Sequence, residues 1–204
     1  MRMFRTNGIF RWIFSDRIWR ISSDQPVVYL TFDDGPTESM TRKILQILDD
    51  YQAKATFFCV GENAQRSPEL MSLMIEKGHQ IGNHTMSHQK SGNISGTAYK
   101  NAIREAEELT SSVLFRPPYG RLNYFDGKKL SRQYKIIMWS WLSYDYDRSV
   151  PLEKILKKAE NQIRKGDIIV LHDNLKVEDR ILKLLPGILE ILKKKGLRSM
   201  PISA

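Results

Sequence analysis

VVYLTFDDGP, Val27 to Pro36, decides how the rest of the chain is read. A run of β-branched, aromatic and aliphatic residues leads into Asp33 and Asp34, and Gly35-Pro36 then turns the chain. It reads as a buried strand that delivers two carboxylates at its C-terminal end, the edge where ligands of parallel sheets collect. Two adjacent aspartates also occur in ordinary turns, so the pair alone does not establish chemistry.

Similar runs recur outward from this strand. ATFFCV (Ala55 to Val60), HQIGN (His79 to Asn83), KIIMW (Lys135 to Trp139) and DIIVL (Asp167 to Leu171) read as strands, with weaker candidates at Leu114-Phe115 and Leu197 to Met200. Helical patterns lie between them over Glu38 to Tyr51, Pro68 to Lys77, Gly96 to Leu109, Phe125 to Gln133, Pro151 to Ile163 and Val177 to Lys195. Ile44, Leu45, Ile47 and Leu48 supply one apolar stripe, and Ile155, Leu156, Ala159 and Ile163 another. The alternation predicts an α/β fold with a mostly parallel sheet. Strand count does not decide between an open sheet and a closed barrel.

The 204 residues, 41% of them hydrophobic, carry no repeat or linker, which favours one globular domain and excludes a disordered or fibrous chain. Lys plus Arg exceed Asp plus Glu by 32 to 23, and the resulting +9 suits a polyanion, an anionic membrane or an acidic wall polymer without choosing among them. The single Cys59 forbids an internal disulfide and reads as a buried small hydrophobe. No run approaches the roughly 18 apolar residues of a membrane span. Arg11, Asp16, Arg17 and Arg20 interrupt the apolar stretch that a signal peptide needs, so the expectation is a soluble chain, cytoplasmic or peripherally membrane-associated. Residues 1–26 mix Phe4, Phe10, Trp12, Phe14 and Trp19 with five arginines. They are expected to pack on the domain of residues 27–204 and cap its open bottom, with contact to an anionic membrane as the alternative. No recognition motif or basic-aromatic groove supports nucleic acid binding.

GNHTMSH follows the third strand and sets His84 and His88 four residues apart, where one helical turn would align both imidazoles. Together with the Asp pair they make up a two-His, one-carboxylate set that leaves a position open for water, the composition of a catalytic zinc site. DIIVLHD brings His172 to a further strand end, whereas His79 precedes its strand and reads as structural. RPPYG, Arg116 to Gly120, adds a cation and a loop stiffened by Pro117 and Pro118, which can aim a peptide N–H at an oxyanion or be a plain surface turn.

TFDDGP, HTMSH, RPPYG and the LH of IIVLHD, in this order and spacing, resemble the polysaccharide deacetylase (NodB homology) family, carbohydrate esterase family 4, from Val27 to Ser199. The resemblance implies a distorted (β/α)7 barrel with one divalent metal, usually zinc. The implied activity is hydrolysis of N-acetyl groups on chitin-type or peptidoglycan sugars, or sometimes of O-acetyl groups. It implies Asp33 as general base, Asp34, His84 and His88 as metal ligands, and His172 as general acid. Arg116 would orient Asp33, and the Tyr119 N–H would help stabilise the oxyanion. The expected substrate contacts are Pro117, Tyr119, Trp141 and Leu171, with Trp139, Tyr144 and Tyr146 as further aromatic candidates.

The chain departs from the family after its fifth strand. The family segment WSxDxxDW corresponds to WSWLSYDY, Trp139 to Tyr146, and Leu142 occupies the position of the Asp expected to pair with the motif arginine. Arg116 is then expected to pair directly with Asp33, or with Asp145 entering from the neighbouring loop. Rival activities are hydrolysis of O-acetyl esters, hydrolysis of small cyclic amides, and glycan binding without catalysis.

Overall fold

Val27–Asp33 (β1) is buried along its whole length because it forms the centre of the sheet, with Ala55–Cys59 (β2) on one side and Ile168–His172 (β7) on the other. The computed structural model describes residues 2–203. Beyond β2 lie Gln80–Asn83 (β3), Leu114–Phe115 (β4) and Lys135–Ile136 (β5). Beyond β7 lies Trp141–Leu142 (β6), and Arg198–Ser199 (β8) pairs with the start of β1. All of these pairings are parallel. The sheet curls into the distorted barrel of α/β type, and its two edge strands are β5 and β6, consecutive in the chain.

The expected strand over Lys135 to Trp139 is shorter, and β6 stands where none was expected. The N-terminal segment accounts for this at the seam. Ile18 N–H donates to Ile136 C=O (2.8 Å), Met138 N–H donates to Ile18 C=O (2.8 Å), and Leu142 N–H donates to Phe4 C=O (2.8 Å). The polar backbone of the seam is thereby satisfied by residues 4–18 instead of by a neighbouring strand. Buried Asp167 fastens the same segment, accepting from Arg5 (2.8 Å) and lying 3.4 Å from Arg20. Phe4 is buried against Trp141 and Tyr144.

Side-chain alternation divides the sheet. Val28, Leu30 and Phe32 of β1 with Ile169 and Leu171 of β7 join the outer core. There they meet the buried stripes of Glu38–Asp50 (Met40, Ile44, Leu45, Leu48) and Glu178–Lys194 (Ile181, Leu184, Leu185, Ile188). Val27, Tyr29, Ile168 and Phe58 pack on the opposite, interior side. Asp33 and His172 stand at the upper end of this interior column, because each is an even number of residues from an interior neighbour. Cys59 is fully buried. Among the described residues no helix is long and apolar enough to cross a membrane.

Candidate active site

The chemistry-bearing residues converge because they follow the C-terminal ends of different parallel strands. Register pairs Asp33 of β1 with His172 of β7, and Asn83, the residue before His84, with Phe115, the residue before Arg116. Asp34 sits at φ 79°, a left-handed conformation that brings its carboxylate round after β1. Asn63 holds the turn by donating to Asp34 C=O (2.7 Å), and Asn174 donates to Asp34 Oδ2 (2.7 Å).

His84 and His88 do meet, but not on a helical turn as the spacing predicts. Thr85 (φ 66°) and His88 (φ 53°) are left-handed, and the segment is an irregular loop. Its shape is imposed from outside. Asn83 Oδ1 accepts from Thr85 N–H (2.9 Å), Thr85 C=O accepts from Gly61 N–H (2.9 Å), and Met86 N–H donates to Ala102 C=O (2.8 Å). These bonds offset the strain of a β-branched residue at positive φ.

Asp34 Oδ1 lies 3.6 Å from His84 Nε2 and 3.0 Å from His88 Nε2, and one ligand atom from each of the three residues falls within 4.8 Å of the others. A tetrahedral zinc with bonds of about 2.0–2.1 Å would separate such atoms by about 3.3 Å, so this donor set fits a divalent ion. Nδ1 of His84 lies 2.7 Å from the Arg116 carbonyl, which only accepts, so Nδ1 carries the proton and Nε2 keeps its lone pair for a ligand role. Burial works against ionisation of Asp34, but the close approach of the His84 and His88 imidazoles, with His172 beyond them, outweighs it and holds the carboxyl well below the usual range.

Two charged pairs flank the triad. Arg116, fully buried, donates from Nη1 to Asp33 Oδ1 (2.6 Å) and the Thr31 hydroxyl (2.6 Å). Its Nε and Nη2 donate to the carbonyls of Ile137 (3.1 Å) and Met138 (3.0 Å), and its guanidinium lies over Phe58 at 4.1 Å. Arg116 therefore pairs directly with Asp33, and two backbone carbonyls and a hydroxyl serve it where Leu142 replaces the family's Asp. Asp145 instead serves His172, accepting from His172 Nδ1 (2.7 Å) and from the His172 backbone N–H (2.8 Å). Burial opposes the charged imidazole, but Asp145 first, then Asp34 and Asp33, overcome it and push His172 up to about 9.

Tyr119 (φ 60°) and Gly120 (φ 62°) carry the RPPYG loop through two left-handed residues. A Cβ at Gly120 would collide with the Trp139 indole, so this position requires glycine on both counts. Gly120 N–H donates to Pro117 C=O (3.0 Å) and Arg121 N–H to Pro118 C=O (3.1 Å), whereas the Tyr119 N–H takes no part in this turn ladder.

A cavity of about 830 Å³ joins these groups, and Trp139, Leu142, Tyr146 and Val170 form its apolar wall. Trp141 is not part of that wall. It is fully buried on the outer side of the sheet against Phe4, since register pairs it with outward Ile169 while Leu142 pairs with inward Val170. Leu171 is likewise in the outer core, and Val170 takes the position expected of it. Pro117 is buried under its loop and does not line the cavity, whereas Tyr119 does. His79 lies apart, its Nδ1 accepting from Ala55 N–H (3.1 Å), and burial lowers it to about 4. Asn63 and Asn174 have no counterpart among the sequence candidates; Asn174, two residues after His172 in HDN, was the detectable one.

The family model for polysaccharide deacetylases matches residues 20–133. A peptidoglycan-N-acetylglucosamine deacetylase of Bacillus cereus is 34% identical over 192 residues, covering 91% of this chain and 90% of that protein. A chitooligosaccharide deacetylase of Azorhizobium caulinodans is 32% identical over 165 residues, 76% of this chain and 77% of that one. The crystal structure of a peptidoglycan N-acetylglucosamine deacetylase superposes with a TM-score of 0.87 at 30% identity, covering 95% of this chain and 94% of the other. In sequence and in fold, the chain belongs to the polysaccharide deacetylase family.

Proposed function

We propose that this chain is a divalent-metal-dependent hydrolase that removes N-acetyl groups from N-acetylglucosamine-containing glycans of the peptidoglycan or chitooligosaccharide type and releases acetate. The observation that carries the reading is the single cavity in which the Asp34, His84 and His88 donor set lies between the Arg116–Asp33 and Asp145–His172 pairs.

Asp34, His84 and His88 would hold the ion, for which zinc suits two imidazoles and one carboxylate. When bound, such an ion polarises a carbonyl and makes water more acidic. Asp33 takes the proton of the attacking water, and Arg116 orients that carboxylate. The Tyr119 N–H donates to the oxygen on which negative charge develops. His172, its Nδ1 proton retained by Asp145, gives the Nε2 proton to the departing sugar amine, which leaves poorly without it. Trp139 and Tyr146 offer faces on which a pyranose ring can rest, and Val170 with Leu142 encloses the acetyl methyl.

The test is acetate release from chitooligosaccharides and peptidoglycan fragments, with acetylated xylan as the O-acetyl comparison and a chelated control. Metal-dependent release is expected from at least one N-acetylglucosamine substrate. Asp33→Asn is expected to keep the metal and lose about 10²–10⁴ in turnover. Absence of metal-dependent acetate across the panel overturns the reading.

A further inference from the structure

Gly8–Ile13 (α1) is apolar yet covers nothing. None of its 6 residues is buried, although Ile9, Phe10, Trp12 and Ile13 make up most of it, and Trp12 is 80% exposed. A helix this short has little stability of its own, and no apolar face of α1 is docked on the barrel. The patch continues beyond the helix. Buried Arg17 lies under the Phe14 ring (4.5 Å) and donates to the carbonyls of Leu122 (2.9 Å) and Asn123 (3.2 Å). It thereby ties the end of this segment to the start of Tyr124–Leu130 (α6), where Tyr124 and Phe125 are exposed, Phe125 by 74%.

The charges around this surface are one-sided. Arg11, Arg121, Lys128 and Lys129 are exposed, and none forms an ion pair among the described residues. Of the neighbouring acids, Asp16 is turned inward, 3.7 Å from buried Arg17 and without a hydrogen-bond partner, and Asp126 accepts from Asn123 (2.5 Å). Exposed aromatic rings interleaved with free cations match the headgroup level of an acidic bilayer in both polarity and charge. Arg121 also lines the catalytic cavity, so this surface adjoins the mouth of the cleft.

We propose that α1 and the first turn of α6 form a docking surface for an anionic phospholipid membrane, seating the cleft beside the bilayer surface. The rings of Phe10, Trp12 and Phe125 enter the interface, and the four cations meet acidic headgroups.

The test is cosedimentation of the full chain with vesicles of phosphatidylcholine alone and of phosphatidylcholine mixed with phosphatidylglycerol. Binding is expected only to the mixed vesicles and is expected to weaken as salt is raised. Trp12→Ala and Phe125→Ala are each expected to lower the partition coefficient about tenfold while leaving turnover of a soluble chitooligosaccharide unchanged, which also verifies folding. Equal behaviour with both vesicle types, or variants that partition like the parent, overturns the proposal. So does a concentration-dependent dimer that Trp12→Ala dissolves without vesicle binding, because a second copy would then be the occupant.

Discussion

Arg116 is fully buried behind Asp33, whose carboxylate alone reaches the cavity, whereas His172 lines the cavity in front of buried Asp145, and the contrast separates two ways of holding a catalytic charge. On the first side the guanidinium makes four hydrogen bonds, to two backbone carbonyls, the Thr31 hydroxyl and Asp33 itself, so Asp33 has a cationic neighbour fixed in place. On the second, Asp145 is saturated by His172, by the Ser143 hydroxyl (2.9 Å) and by the Tyr146 N–H (3.0 Å), and the titrating member is the imidazole at the cavity. The difference teaches that the base is held by geometry and the acid by an adjustable charge balance.

Removing the buried guanidinium is expected to have the largest effect. Arg116→Gln leaves Asp33 buried without its cation and is expected to cost about 3–5 kcal/mol, read as a fall in Cm in urea, with loss of turnover. An unchanged Cm would mean that the buried pair does not support the fold. The second effect belongs to the adjustable side. His172 must be protonated to act as an acid, so activity falls as pH rises through its pKa, which is raised to about 9 in the metal-free chain. Asp145→Asn removes the foremost cause of that rise, and the alkaline limb of kcat is expected to move to lower pH by about one unit or more. A limb that stays in place or moves upward would contradict the assignment. The smallest effect is expected from Leu142→Asp, which restores the family's carboxylate. Because Arg116 already has its partners, turnover is expected to change by less than about tenfold. A larger gain would show that the backbone carbonyls are an inadequate substitute.

The same contrast explains what was legible in the sequence. The apolar run ending in Asp33-Asp34 and the histidines at strand ends were readable because burial and strand alternation leave a pattern in residue type. Trp141 and Leu171 were misplaced because one residue of parity separates the cavity wall from the outer core, and the short β6 offers too few positions to show its phase. Whether Arg116 pairs with Asp33 or with Asp145 is open in the sequence, since both are charge-compatible, and only the fold takes Asp145 to His172 instead. The loop carrying His88 defeated a helical reading because Thr85 and Met86 are held by Asn83, Gly61 and Ala102, which lie on other elements. Helix α1 had no readable period in its 6 residues, and its exposure is visible only in three dimensions.

The proposed hydrolysis requires Asp34, His84 and His88 to share one cation. Metal titration of the chelator-stripped chain followed by mass-spectrometric counting of bound ions tests this most directly. One divalent ion per chain is expected, with His84→Ala and His88→Ala each weakening binding by at least about tenfold while Asp33→Asn retains it. Failure of the parent chain to take up any divalent ion, or undiminished uptake by both histidine variants, would contradict the account.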